Sequence, residues 1–241
     1  MKEKQPMTRA RIYIIMCMLA LIPGISPLHT DVMAQKAGDI INVKPADEEK
    51  YFYAQQIPDE VFKRMHGKSF PKNCTIKRSD LRYLHVLHIN KKGKTQVGEM
   101  VCNKSISDDL IDIFRKLYKA RYPIERMVLV DDYDADDEKS MEANNTTCFN
   151  FRMITGSTTK VSKHGMGLAV DINPLYNPYV KGNRVEPEAG KPYARNRTSA
   201  QKNHSPFIIN HSSLPYRLFR EKGFRWGGDW KSLKDYQHFE K

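Results

Sequence analysis

"LRYLHVLHINKKGKTQVGEMVCN", residues 81–103, decides the fold. Its first nine residues alternate, with Leu81, Tyr83, His85, Leu87 and Ile89 on one side of an extended chain, the period of a strand. "NKKGK" supplies a turn and "TQVGEMVCN" (95–103) the returning strand, so the pair reads as a β-hairpin. His85 and His88 are an odd number apart, point to opposite faces and cannot chelate together. Downstream, "SISDDLIDIFRKLYKARYP" switches to a helical period. Leu110, Ile113, Phe114 and Leu117 share a face, and Ser105 with Asp108 resembles a capping box.

Working outward, "FYAQQIPDEVFKRMHGKSF" (52–70) predicts a short helix after Pro58 and a turn at Gly67. Residues 35–77 are expected to form a lead-in packed on a domain of residues 78–241. "RMVLVDDY" (126–133) predicts a strand. "SSLPYRLFREKG" (212–223) predicts a helix, with serine at its start, proline in its first turn and glycine at its end. Residues 175–210 are rich in Asn, Pro, Gly and Lys without a period, which predicts an irregular functional loop. Strands and helices mix without a βαβ rhythm. The fold class expected is α+β, a small antiparallel sheet flanked by helices in a single domain with a cleft.

The 241 residues carry 40 Lys and Arg against 28 Asp and Glu, a net charge of +12. Residues 1–34 join a basic leader (Lys2, Lys4, Arg9, Arg11) to the apolar run "IYIIMCMLALI", too short to span a bilayer. They are expected to be a secretory signal peptide cut after Ala34, leaving a periplasmic or secreted protein without a membrane span. Without its four basic and two acidic side chains the chain still carries +10. Such a surface favours polyanions. Export puts anionic wall polymers and lipid headgroups ahead of nucleic acid, which is not an expected partner. Of the three remaining cysteines, Cys74 and Cys102 could pair in an oxidising compartment, leaving Cys148 free. No C-x-x-C pair exists, which excludes a thiolate zinc cluster. The acidic run "DDYDADDEKSME" (131–142) fails as a calcium loop. Counted from Asp132, its sixth position is Asp137 instead of glycine and its twelfth is Ala143 instead of glutamate. A solvated acidic loop is expected.

The chemistry concentrates in "SKHGMGLAVDINP" (162–174). Gly165 and Gly167 permit a tight turn after His164. "LAVDI" then reads as a short strand with Leu168, Val170 and Ile172 toward the core and Ala169 and Asp171 opposite. A carboxylate on the open face and a histidine returned by the turn can converge on one metal ion. A third donor is available in "DYQHFE" (235–240), where a helical turn or a tight bend would set Asp235 and His238 on one side. His204 and His211 qualify equally on composition. Two imidazoles and a carboxylate with one position left for water is the pattern of a catalytic zinc site, although these donors also suit other divalent metals.

"NNTTCFNFR" (144–152), "SKHGMGLAVDINPLYNPY" (162–179), "FRWGGDW" (224–230) and "DYQHFE" together resemble the signature blocks of the D-alanyl-D-alanine carboxypeptidase family of zinc peptidases. That family includes vancomycin-resistance carboxypeptidases and phage L-alanyl-D-glutamate endopeptidases. Its pattern, S-x-H-x-x-G-x-A-x-D followed far downstream by D/E-x-x-H, is met at every fixed position, and the likeness covers roughly residues 78–241. The resemblance implies that His164, Asp171 and His238 bind Zn2+, that Asp235 is the general base, and that Arg152 stabilises the oxyanion. It implies a local or substrate-holding role for Ser162 and a place for Trp226 and Trp230 near the metal. The function implied is hydrolysis of peptide bonds in peptidoglycan stems or crosslinks, at a D-Ala-D-Ala end or an internal L-Ala-D-Glu bond. Lys181, Arg184, Lys191, Arg195 and Arg197 are the loop cations available for a terminal carboxylate. The alternatives are a non-catalytic wall-binding module on the same metal-stabilised scaffold, which would need neither Asp235 nor Arg152, and a polyanion binder whose association is salt-sensitive.

Overall fold

The hairpin forms where the alternation places it. In the computed structural model, which describes residues 35–154, 156–195, 197 and 205–241, Leu81–Ile89 and Thr95–Asn103 pair antiparallel with Tyr83 opposite Val101. In chain order the elements that position the site begin with strand β1 (Tyr53–Gln55), helix α1 (Asp59–Met65), the hairpin strands β2 and β3, and helix α2 (Ser107–Lys119). Helix α3 (Asp137–Glu142), strands β4 (Ala169–Asp171), β5 (Tyr179–Lys181) and β6 (Arg184–Glu186) and helix α4 (Lys191–Arg195) follow. Helix α5 (Leu214–Glu221) and strands β7 (Arg225–Trp226), β8 (Lys234–Asp235) and β9 (His238–Glu240) complete them. The strands form three small antiparallel sheets, ordered β1-β2-β3, β4-β9-β7 and β6-β5-β8. The fold is therefore α+β, and Lys36–Lys241 makes one compact unit. The expected signal peptide lies outside the described residues. No described helix is long and apolar enough to cross a membrane.

The core lies around the hairpin, and both of its faces are covered. Leu81, Tyr83 and Val101 join Ile57, Val61 and Met65 in one cluster, while α2 packs on β2 through Leu110, Ile113, Phe114 and Leu117. Each such side chain taken from water contributes about 1.5–3 kcal/mol. The lead-in is tied in by β1, whose Tyr53 lies opposite His85. The helix after Pro58 and the turn at Gly67 (φ +84°) stand as expected.

Four expectations need correction. Helix α2 starts at Ser107 after Ile106, with no side-chain cap; the Ser105 hydroxyl donates instead to Asn103 Oδ1 at 2.9 Å. Residues 126–133 do not form a strand. The Glu99 N–H donates to Met127 O, but the chain then turns at Val130–Tyr133, where the buried Asp131 carboxylate accepts from the backbone and hydroxyl of Ser69. Cys74 and Cys102 are not paired. Cys74 packs in the cluster on the Val101 face, and strand alternation turns Cys102 the other way; all three described thiols are free. The stretch 175–210 is not irregular throughout. Gly182-Asn183 closes a two-residue hairpin between β5 and β6, and α4 follows.

Candidate metal centre

Three packed segments build the site. The turn after Ser162 is held by the Ser162 hydroxyl, which accepts from the Gly165 N–H at 2.9 Å, and by the Ser162 N–H, which donates to Arg152 O. Gly165 admits no side chain, because a Cβ there would sit 2.7 Å from Arg152 O. Gly167 has φ +68°, and its carbonyl accepts from the Asn103 N–H so closely that a Cβ would stand 2.7 Å from that nitrogen. The hairpin is thus the wall against which the His164 turn is pressed. Strand β4 carries Asp171 between Thr147 on one side and β9 on the other, directly opposite His238. Strand β8 brings Asp235 alongside Tyr179 of β5, and a bend at residues 236–237 leads on to His238, so the bend was the alternative realised.

His164, Asp171 and His238 converge, each less than a tenth exposed, at the floor of a cleft of about 470 Å³. Nε2 of His164 lies 3.0 Å from Nδ1 of His238 and 3.2 Å from Asp171 Oδ2, and His238 Nδ1 lies 3.2 Å from Asp171 Oδ1. Tetrahedral zinc with ligands at ~2.0–2.1 Å has ligand edges of roughly 3.3 Å, so the donor set fits such an ion. The outer nitrogens are already committed. Nδ1 of His164 lies 2.7 Å from Cys148 O, which can only accept, so that nitrogen carries the proton and Nε2 keeps its lone pair. Nε2 of His238 lies 3.3 Å from a carboxylate oxygen of Glu240, which leaves Nδ1 facing the centre. Arg225 holds the other Glu240 oxygen at 2.6 Å. Among the described residues no other group of three such donors converges.

The charges follow from this packing. Burial works against an Asp171 anion, but the adjoining imidazoles, His164 foremost, outweigh it and hold its pKa well below the usual carboxylate range. Burial likewise opposes a charged His238, yet Asp171 and Glu240 on its two nitrogens raise it to about 10. Burial pushes Asp235 up to about 6; the two histidines oppose that rise and Asp171 adds to it. Oδ1 of Asp235 is buried without a hydrogen-bond partner, on the wall of the same cleft.

Arg152 also lines the cleft, its Nε 3.1 Å from Asp137 Oδ2. The acidic run is therefore not simply a solvated loop. Asp137 starts α3, takes a hydrogen bond from Asn150 at 2.8 Å and holds the Arg152 guanidinium. Of the five loop cations, Arg184 lines the cleft, paired with Glu186, while Lys191 pairs with Glu188 away from it. Lys181 lies on β5, Arg197 is buried against the Tyr236 ring, and the Arg195 side chain lies outside the described residues. His211 sits outside the site, 2.7 Å from Asp229, and His204 lies outside the described residues. The Trp230 ring stands 5.3 Å from that of His238, whereas Trp226 is buried against Phe239 and donates to Tyr236 O. Glu240 and Asp137 were not anticipated. Glu240 could have been found by period two from His238 on a strand; Asp137 had no local signal, because its partner Arg152 is a tertiary neighbour.

A buried His/Asp/His donor set, with the Asp235 carboxylate and the Arg152 guanidinium on the wall of the same cleft, could hold a metal ion. Residues 155–241 match the family described as D-alanyl-D-alanine carboxypeptidase, which bears out the resemblance for the blocks within that stretch; the block at 144–152 lies before it. The matched residues contain all three donors and Asp235; Arg152 falls just before them. No curated protein and no solved structure gave a match.

Proposed function

We propose that this protein is an exported zinc peptidase that hydrolyses peptide bonds in the stems or crosslinks of peptidoglycan. The observation that carries the reading is the convergence of His164 Nε2, Asp171 and His238 Nδ1 beside the unpartnered, buried Oδ1 of Asp235. His164, Asp171 and His238 would hold the metal, Cys148 O and Glu240 keeping the two rings turned so that a lone pair faces it. A bound zinc ion polarises a carbonyl and lowers the pKa of its water to about 7.

The remaining work falls to the chain. Asp235, with a pKa pushed up to about 6, accepts a proton from the attacking water and passes it to the nitrogen as the C–N bond breaks. The Arg152 guanidinium, held by Asp137, faces the negative charge that develops on the scissile carbonyl oxygen. Arg184, which lines the cleft and is paired with Glu186, is the loop cation that would meet a substrate carboxylate. The products are an amine and a carboxylate, and no nucleophilic side chain is needed.

The test is digestion of purified sacculi by the zinc-loaded protein, with released ends identified by mass spectrometry before and after chelation. New carboxyl and amino ends that disappear on chelation are expected, and their chemistry names the bond. Sacculus binding without release of ends would leave a wall-binding module. Unchanged, unbound sacculi would sink the reading altogether.

A further inference from the structure

The turn of the long hairpin gathers four cations at one end of the fold. Lys91, Lys92 and Lys94 are exposed on the "NKKGK" turn, and Arg121, just past the end of α2, donates to Gly93 O at 2.8 Å. The turn is fixed, because the buried Asn90 side chain accepts from the N–H groups of Lys92 and Lys94 and Gly93 takes φ +71°. Lys91 pairs with Glu125, whereas Lys92, Lys94 and Arg121 pair with no carboxylate among the described residues. Three unanswered cations held around one turn repel one another, and an anionic surface would relieve that repulsion. The lead-in adds an apolar side chain at the same edge. Residues 38–41 lie along β3, with the Ile41 N–H donating to Thr95 O and Ile40 paired opposite Gln96. Alternation sets Gln96 and Lys94 on one face, so Ile40 stands on the face that carries Lys94. Ile40 is 59% exposed, more than any other large hydrophobic residue described. None of these residues lines the cleft.

We infer that the β2–β3 turn, with Arg121 and Ile40, is a docking surface for an anionic lipid bilayer. The inference rests on the export reading, since an exported chain meets a membrane face, but it does not need hydrolysis. Lys92, Lys94 and Arg121 meet phosphate headgroups, whose negative potential draws basic side chains within about a Debye length. Charge alone would suit a soluble anionic polymer equally. Ile40 favours lipid, because the headgroup boundary accepts an apolar side chain and a polymer in water does not. The order of the chain agrees. Only residues 23–35 separate the apolar run of the leader from Lys36, so on the export reading the lead-in that carries Ile40 is delivered next to the membrane. Docking through this edge leaves the cleft residues uncovered, because the two sets share no member.

The experiment uses residues 35–241, whose core and sheets lie within the one compact unit, so that the leader cannot bind in their place. Binding is measured by cosedimentation with vesicles of phosphatidylcholine, with and without phosphatidylglycerol, and by calorimetry with soluble polyphosphate. Wild type should bind the anionic vesicles at least about tenfold more tightly than the neutral ones, and less tightly as salt is raised. Lys92→Gln/Lys94→Gln/Arg121→Gln should lose at least about tenfold in affinity, since each cation near an anionic leaflet adds a factor of about five. Where that variant does not fold, Lys92→Gln/Lys94→Gln should show the same loss. Lys63→Gln/Lys72→Gln/Lys160→Gln removes equal charge from exposed lysines elsewhere and should lose less than about threefold. Ile40→Ser should weaken binding to anionic vesicles at least about threefold and leave polyphosphate binding unchanged. Equal losses in the turn and control variants would mean attraction by net charge alone and overturn the docking surface. Vesicle binding indifferent to Ile40, with polyphosphate held as tightly as lipid, would give the turn to a soluble polymer and overturn the bilayer. Absence of binding to anionic vesicles overturns the inference outright. Vesicle binding and sacculus digestion are read separately, so failure here leaves the peptidase reading standing, and the reverse.

Discussion

At the scale of single residues, the proposed function separates groups that would hold a metal from groups that would handle the substrate, and substitution can tell them apart. Asp235→Asn removes a proton acceptor without touching His164, Asp171 or His238. Turnover should fall about 10²–10⁴-fold with metal content unchanged; an active, metal-replete variant would remove Asp235 from the mechanism. Arg152→Ala should lower kcat about 10²–10³-fold, as loss of an oxyanion donor does, with little change in KM. An effect confined to KM would reduce Arg152 to a binding residue. Glu240→Gln keeps the shape beside His238 Nε2 but weakens its hold on that ring. Metal affinity, measured by competition with a chelator, should drop about 10–100-fold, and unaltered affinity would make Glu240 only a partner of Arg225. His164 and Asp171 were legible in the sequence from their spacing and the glycines between them, whereas the choice of His238 as third donor and the role of Arg152 came from the family resemblance. Glu240 and Asp137 were not legible, because what they do depends on which side chain packing sets beside them.

Among the elements, legibility followed length. The nine-residue strands β2 and β3 and the thirteen-residue α2 announce themselves by period. The strands that carry the chemistry, β4, β8 and β9, are two or three residues long and hold too few positions for a period to show. They exist because neighbours supply their hydrogen bonds: β4 between Thr147 and β9, β8 against β5. The missing strand at 126–133 is the converse case, an apolar run interrupted when Asp131 is claimed by Ser69. The turn between the chemistry and the hairpin is where an element can be tested. Gly167→Ala places a Cβ 2.7 Å from Asn103 N at a residue with φ +68°. Destabilisation of about 1–3 kcal/mol is expected in denaturant unfolding, with weakened metal binding because His164 lies three residues away on the same turn. A stable variant with full metal affinity would show that the turn does not depend on its contact with β3.

For the whole molecule, the triad links stability to metal and to pH in opposite senses. In metal-free protein His238 is raised to about 10, above the 6.5 of a free imidazole. A raised pKa stabilises fully below the unfolded value, and the contribution is lost as pH climbs from about 6.5 through about 10. Asp171 is depressed below the 3.8 of a free aspartate, so its contribution is present above that value and is lost as pH falls through the folded pKa. The metal-free fold should therefore draw most from this cluster at mildly acidic pH and less on the alkaline side. Metal binding requires His238 Nδ1 without its proton, so at pH 7 it should release about one proton. Stabilisation by metal must then grow as pH rises, just where the metal-free cluster weakens. At a free metal concentration near 100 Kd the gain is about 2.7 kcal/mol, and since Kd itself falls with pH, a fixed zinc concentration should raise Tm more at pH 8 than at pH 5.5. Scanning calorimetry with zinc and with chelator across that range measures the difference directly. Titration calorimetry in buffers of unlike ionisation enthalpy counts the proton. A zinc-induced shift in Tm that is flat with pH, with no proton released, would mean that the metal binds somewhere other than these two imidazoles and this carboxylate.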